Sequence, residues 1–90
     1  MTYSLFRTIP PERVGLHGEY DHSGLAKRAM LAFQEHFSLA ELRDLRVSQR
    51  GRVVILVGVV ASCQMLSQLA TVALTVEGAT AVETFGVRTR

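Results

Sequence analysis

Asp21, His22 and Ser23 stand side by side and include the three residue types of a hydrolytic triad. Adjacent residues cannot hand a proton in line from carboxylate to imidazole to hydroxyl, and working triads meet through the fold. Asp21 and Ser23 read more plainly as helix caps. His17, His22 and His36 show no metal-binding spacing, and Cys63 is the chain's single cysteine, so neither a zinc site nor an internal disulfide is expected. Cys63 falls in the first turn of a helix, where a thiol pKa can drop, but a buried small hydrophobe is the commoner role for such a residue. His36, near the end of another helix, suits its C-terminal dipole when charged. No polar groups converge in the sequence as catalysis would require. The expectation is a chain that is not an enzyme and binds no cofactor or metal.

One further set of polar residues invites a function. Arg43, Arg46, Arg50 and Arg52 lie within ten positions and are the candidate anion contacts, although a solvated basic rim is the ordinary use of such residues. The formal net charge is only +2. It permits a phosphate or anionic-lipid partner without requiring one.

The elements that must position these residues turn on the stretch from Val53 to Val76, which contains no charged side chain although 20% of the chain is charged. Its length suits a bilayer crossing. Against this, Gln64, Ser67, Gln68, Thr71 and Thr75 form a continuous polar stripe at helical spacing. Each unpaired amide in hydrocarbon costs roughly 4–8 kcal/mol, whereas each aliphatic residue gains only about 0.3–0.6 kcal/mol on insertion. The stretch is therefore read as two pieces, not as a transmembrane helix. The β-branched run 53–60 is a strand, and Ser62 caps a helix running to Val76 that buries Leu66, Leu69, Ala70, Ala73 and Val76.

Upstream, Leu45 and Val47 alternate with Arg46 and Ser48 ahead of a turn at Gly51, which predicts a hairpin. Ser38 and Glu41 have capping-box spacing. Leu25, Ala29, Ala32, Phe33 and Phe37 share one helical face, with Lys27, Arg28, Gln34 and Glu35 turned outward. Gly78 is the αL residue after the second long helix. Residues 80–88 form a last strand packing through Val82, Phe85 and Val87. Residues 1–20 read as an N-terminal arm, partly flexible or pairing at a sheet edge, before a domain at 21–90. The opening residues lack the 7-to-15-residue apolar core of a signal peptide, so a cytoplasmic location is expected.

From Leu45 to Arg88 the chain resembles the BON domain. The matching positions are Val47, Gly51, Val53, Leu56, Gly58, Val60, Ala70, Gly78, Ala79 and Val82, of which Gly51, Gly58, Gly78 and Val82 are the fold-bearing ones. The resemblance implies an α+β domain of order αββαβ, with two helices packed on one face of a three-stranded mixed sheet. It also implies a non-enzymatic bacterial binding module that engages anionic phospholipid, another protein or itself. A one-residue bulge is expected in the last strand, so that Phe85 and Val87 fill the apolar positions. The alternative is a nucleic-acid-binding domain of KH-like character. "GLHG" at 15–18 has the G-x-x-G form of that clamp, but no helix is evident ahead of it, and a turn leading into the first helix is the plainer reading.

The strand 53–60 adds an expectation of its own. Val53, Ile55, Val57 and Val59 lie on one face and Val54, Leu56, Gly58 and Val60 on the other, so both faces are apolar. A strand apolar on both sides is normally covered on both. Val53, Val54, Ile55, Leu56, Val57 and Val59 are therefore the candidate interaction face, one set for the helices and one for a homo-oligomer, another protein or the N-terminal arm.

Overall fold

The computed structural model describes residues 8–90. A 3-10 turn at Pro11–Arg13 precedes α1 (Gly24–Gln34), a short α2 (Leu39–Leu42), β1 (Leu45–Arg50), β2 (Val53–Val60), α3 (Cys63–Thr75) and β3 (Ala81–Thr89). The strands lie in the order β1-β2-β3, with β1 antiparallel and β3 parallel to β2. Leu25, Ala29 and Phe33 from α1 and Met65, Leu69 and Ala73 from α3 meet Leu45, Val54, Leu56 and Val60 in one core. The fold is the α+β arrangement expected, with the long helices on one face of a mixed sheet. No described helix is long and apolar enough to cross a membrane.

The boundaries follow local chemistry. Ser62 Oγ accepts from the Met65 amide at 3.0 Å and starts α3. The capping box ahead of α2 is complete: the Glu41 amide reaches Ser38 Oγ at 3.1 Å, and the Ser38 amide reaches Glu41 Oε1 at 2.8 Å. The polar stripe of α3 is exposed along its whole length, while Leu69 and Ala73 opposite are fully buried. Arg50 pairs with Val53, leaving Gly51 and Arg52 as a two-residue loop. Gly51 has φ 59° and among the described residues no non-glycine residue has a positive φ, which fits a type II′ turn with glycine first.

Two glycines are required for more than a turn. At Gly58, φ is 130° and a Cβ would stand 2.0 Å from the Asp44 carbonyl oxygen, so the backbones touch where a side chain belongs. Gly78 follows α3 at φ 100°, positive as expected, and its Cβ would lie 2.9 Å from the carbonyl carbon of Pro11.

The segment ahead of α1 differs from the loose arm expected. Residues 1–7, with most of the proposed edge strand, lie outside the described residues, but 8–20 are fastened to the domain. Val14 and Tyr20 form an antiparallel bridge, and Asp21 donates its amide to the Arg13 carbonyl at 2.6 Å. The main fastener is Arg28, expected to face solvent. It is half-buried, and its guanidinium donates from Nε to the Val14 carbonyl and from Nη1 to the Glu77 carbonyl, both at 2.8 Å, and from Nη2 to the Pro11 carbonyl. A planar fork with several fixed donors can hold three carbonyls from two loops at once. Gln49 completes the seam. Its Oε1 accepts from the Ala26 amide at 2.8 Å, and its Nε2 donates to the Glu12 carbonyl at 2.8 Å. The bond from the Ala26 amide caps α1 from the sheet, since Ser23 stands at the N-cap position without a side-chain cap bond.

The bulge expected in the last strand is present. Ile55 pairs with Glu83 but Val57 pairs with Gly86, so Thr84 and Phe85 together oppose Leu56. The extra residue lets Val82 and Val87, five positions apart, both pack on the core. Val87 fills its place as expected. Phe85 does not: of the two bulge residues Thr84 is half-buried, and Phe85 is 89% exposed.

Two substitutions test these constraints by denaturant unfolding. Gly78→Val, with a β-branched residue at positive φ and against Pro11, is expected to lower stability by at least about 1 kcal/mol. Arg28→Lys keeps the charge but cannot span three carbonyls, and a loss of about 2 kcal/mol is expected. An unchanged midpoint in the second would show that the N-terminal segment is held by other means.

Candidate functional site

The sheet face opposite the helices is the main feature that the described elements leave open. Side chains alternate along β2, so the burial of Val54, Leu56 and Val60 sends Val53, Ile55, Val57 and Val59 outward. The strand register extends this row sideways. Arg50, Val53 and Ala81 form one tier, Ser48, Ile55 and Glu83 the next, and Arg46, Val57 and Gly86 the third, with Val59 beside Arg88 beyond. Arg50 reaches diagonally across β2 to an ion pair with Glu83, and Arg90 pairs with Asp44 near the other end. Both pairs therefore join the β1 side of the sheet to the β3 side. Between them Val57 is 43% exposed, because Gly86 beside it has no side chain to cover it. Phe85, in the bulge next to Gly86, is the most exposed large hydrophobic residue among the described residues.

The six residues of the candidate interaction face are thus divided. Val54 and Leu56 are fully buried under the helices, and Val53, Ile55, Val57 and Val59 make the open row. The four candidate anion contacts do not converge. Arg50 is tied to Glu83, Arg52 to Glu12 at 3.3 Å, and Arg43 lies 3.9 Å from Asp44. Arg46 and Arg50, four residues apart on one strand, are separated by about 13 Å at the usual rise. Among the described residues Arg46 and Arg88 form no ion pair, and they stand on opposite sides of the Val57–Val59 row. Phe85 and Arg88 were not legible as site residues. The available signal was the five-residue spacing of Val82 and Val87, which demands a bulge and so displaces a neighbour.

The other chemical candidates have structural employment. Asp21 accepts from the Ser23 amide at 2.9 Å and from Lys27 Nζ at 2.7 Å, while His22 Nδ1 lies 2.6 Å from Arg13 Nη1, so no proton path joins the three residues 21–23. In "GLHG" the amides of Gly15, His17 and Gly18 are already used. The Gly15 amide bonds the Glu19 carbonyl at 2.7 Å, and the His17 amide bonds the Glu19 carboxylate at 2.9 Å, which puts an internal anion where a clamp would hold phosphate. Cys63 is exposed, contrary to the buried role expected, at the first position of α3, two residues ahead of Met65, the first buried residue of the helix. Among the described residues no group of three or more His, Cys, Asp or Glu could hold a metal ion. An open cleft of 370 Å³ lies between His36 and Phe37, just after α1, and Ser67, Gln68, Thr71 and Val72 of α3. It holds no ion pair and no pair of groups placed for proton transfer.

Comparison with protein-family models and with curated proteins finds no match to this chain.

Electrostatics around the N-terminal seam give a pH dependence. The carboxyl of Asp21 is held below its ordinary 3.8, first by the bond from Lys27 and then by the Ser23 amide. Glu12 is held below 4.5, first by a backbone hydrogen bond and then by Arg52. Both folded-state values are depressed, so the stability they contribute is present above the unfolded values and is lost as pH falls through the folded ones. Denaturant midpoints are expected to stay level in this respect down to about pH 5 and to drop below it, and Asp21→Asn is expected to flatten that acid slope. An identical slope in the variant would remove Asp21 from the account.

Proposed function

We propose that this chain is a non-catalytic binding and assembly module of BON-like type, which docks a second copy of itself through the helix-free face of its sheet. The observation that carries the reading is the outward row Val53, Ile55, Val57 and Val59, four aliphatic side chains on a face that no described element covers. The described part of the N-terminal segment is fastened to α1 and to the α3–β3 loop, away from this face. Exposed contiguous apolar patches commonly mark interaction sites.

A second copy can be laid on this face. Its outward charges are Arg46 and Arg50 on β1 and Glu83 and Arg88 on β3, with Arg50 and Glu83 already paired within the chain. A two-fold axis running along β2 lays the basic flank of each copy on the flank of the other that carries Glu83, while the aliphatic rows interdigitate at the usual spacing of about 10 Å between sheets. Phe85, exposed in the bulge next to Gly86, offers an aromatic side chain of the kind that dominates interface energetics. The resemblance to the BON domain supports a binding role, and it also brings in anionic phospholipid, to which the free charges of Arg46 and Arg88 would be attracted.

Light scattering at micromolar concentration tests the reading. Twice the 9.9 kDa chain mass is expected. Ile55→Lys should leave a folded monomer, whereas Leu56→Lys, a charge placed in the core, should destabilise by more than about 4 kcal/mol. A folded monomer from the unmodified chain would overturn self-docking. Co-sedimentation with anionic but not neutral liposomes would then assign the face to lipid, and protection of residues 53–59 by the N-terminal residues would assign it to the chain itself.

A further inference from the structure

Among the described residues the sheet has two free edges, and they are not equivalent. The β3 edge is interrupted by the bulge at Thr84 and Phe85, followed by Gly86 and Arg88, which are devices that discourage another strand from pairing. The β1 edge has an unbroken register from Leu45 to Arg50 and contains neither proline nor glycine. The bond from the Val59 amide to the Asp44 carbonyl, at 3.0 Å, sets the phase of the β1–β2 ladder. In that phase Arg46, Ser48 and Arg50 exchange bonds with β2, and the N–H and C=O groups of Leu45, Val47 and Gln49 point away from it. Among the described residues none bonds these outward groups. Beside them runs a groove of 320 Å³ between the edge and α1, in which Ala26, Met30 and Val47 give an apolar floor, with Lys27 and Gln49 at its sides.

We propose that this edge and groove take an extended peptide segment of alternating apolar and acidic residues, which joins the sheet as a fourth strand. The inference uses the edge of β1 and does not depend on what covers the sheet face. In such a strand the residues opposite Val47 and Gln49 turn into the groove, against Ala26 and Met30. Those opposite Arg46, Ser48 and Arg50 lie on the helix-free side. Arg46 forms no ion pair among the described residues, and Lys27 at the side of the groove is already bound to Asp21. An acidic residue opposite Arg46 is therefore matched and a basic one opposed. Main-chain bonds to the edge supply affinity and the alternate side chains supply choice, as in other cases of strand addition.

The full chain and a blocked, fluorescent peptide of sequence Glu-Val-Thr-Val-Glu-Val test the proposal, with a Lys-Val-Thr-Val-Lys-Val peptide as the charge control. Saturable anisotropy is expected for the acidic peptide, with at least tenfold weaker binding of the basic one. Arg46→Glu is expected to weaken the acidic peptide about fivefold, in line with one cross-strand charge pair. By amide exchange, Val47 and Gln49 should exchange freely in the chain alone and slow at least tenfold with peptide. Val47→Pro removes one outward N–H while leaving the ladder to β2 intact, and should abolish binding. If that variant does not fold, an acidic peptide N-methylated at its bonding amides replaces it and should not bind. Amides of Val47 and Gln49 that are already protected in the free chain would overturn the proposal. So would a lack of saturation at millimolar peptide, or equal binding of the two peptides.

Discussion

Three strands and two long helices can give the central strand only one covered face, and β2 is apolar on both. Every residue from Val53 to Val60 is aliphatic or glycine, yet only Val54, Leu56 and Val60 are fully buried. Gly58 is the one inward position of the strand without a side chain, and there the chain turns so tightly that Asp44 occupies the place of a Cβ. The helices pack on the set that includes Gly58, as the burial of Val54, Leu56 and Val60 shows. That choice decides which candidates become core and which become surface. The ion pairs Arg50–Glu83 and Arg90–Asp44 then join the flanks on either side of the exposed row.

A second constraint is polar. The loops at one end of the sheet bring several backbone carbonyls together, and partly buried carbonyls without partners are costly. Arg28 and Gln49 meet that need from the middle of a helix and of a strand. Their side chains fix the N-terminal segment against Gly78 and the start of α1, which explains why a glycine is needed there beyond its role after α3. The face and the seam are thus separate parts of one solution, since the described segment that could have lain across the open sheet is held elsewhere.

What the sequence made legible was local. Ser62, the Ser38–Glu41 box, the Gly51 turn and the stripe from Gln64 to Thr75 act over a few residues, and each appears where short-range chemistry puts it. Arg28 looked like an outward residue because helical spacing assigns it to a flank of the buried stripe, and nothing nearby in sequence announces carbonyls from positions 11, 14 and 77. Phe85 failed for a related reason. A bulge could be deduced from spacing, but which of its two residues turns inward depends on the room beside Leu56, where Thr84 is half-buried and Phe85 is not. The candidate face was legible as a pair of alternatives, because alternation separates the two sets of β2 without saying which one the helices take.

The open face and the β1 edge share a boundary in Arg46, whose side chain lies on the face while its neighbours Leu45 and Val47 direct their backbone groups outward. A strand added at that edge would place every second side chain on the helix-free side, beside Ser48 and Arg46, and so enlarge the face by one strand spacing of about 4.8 Å. An apolar face widened in this way offers more area to a docking partner, whereas an acidic residue on the added strand would neutralise Arg46 before a partner's flank could do so. The first effect favours joint occupancy and the second opposes it. Their balance is a coupling free energy between edge and face, and linkage requires it to act with equal size in both directions. The composition of the added strand would thus set the sign of the coupling: apolar positions above the sheet strengthen assembly, and acidic positions there weaken it.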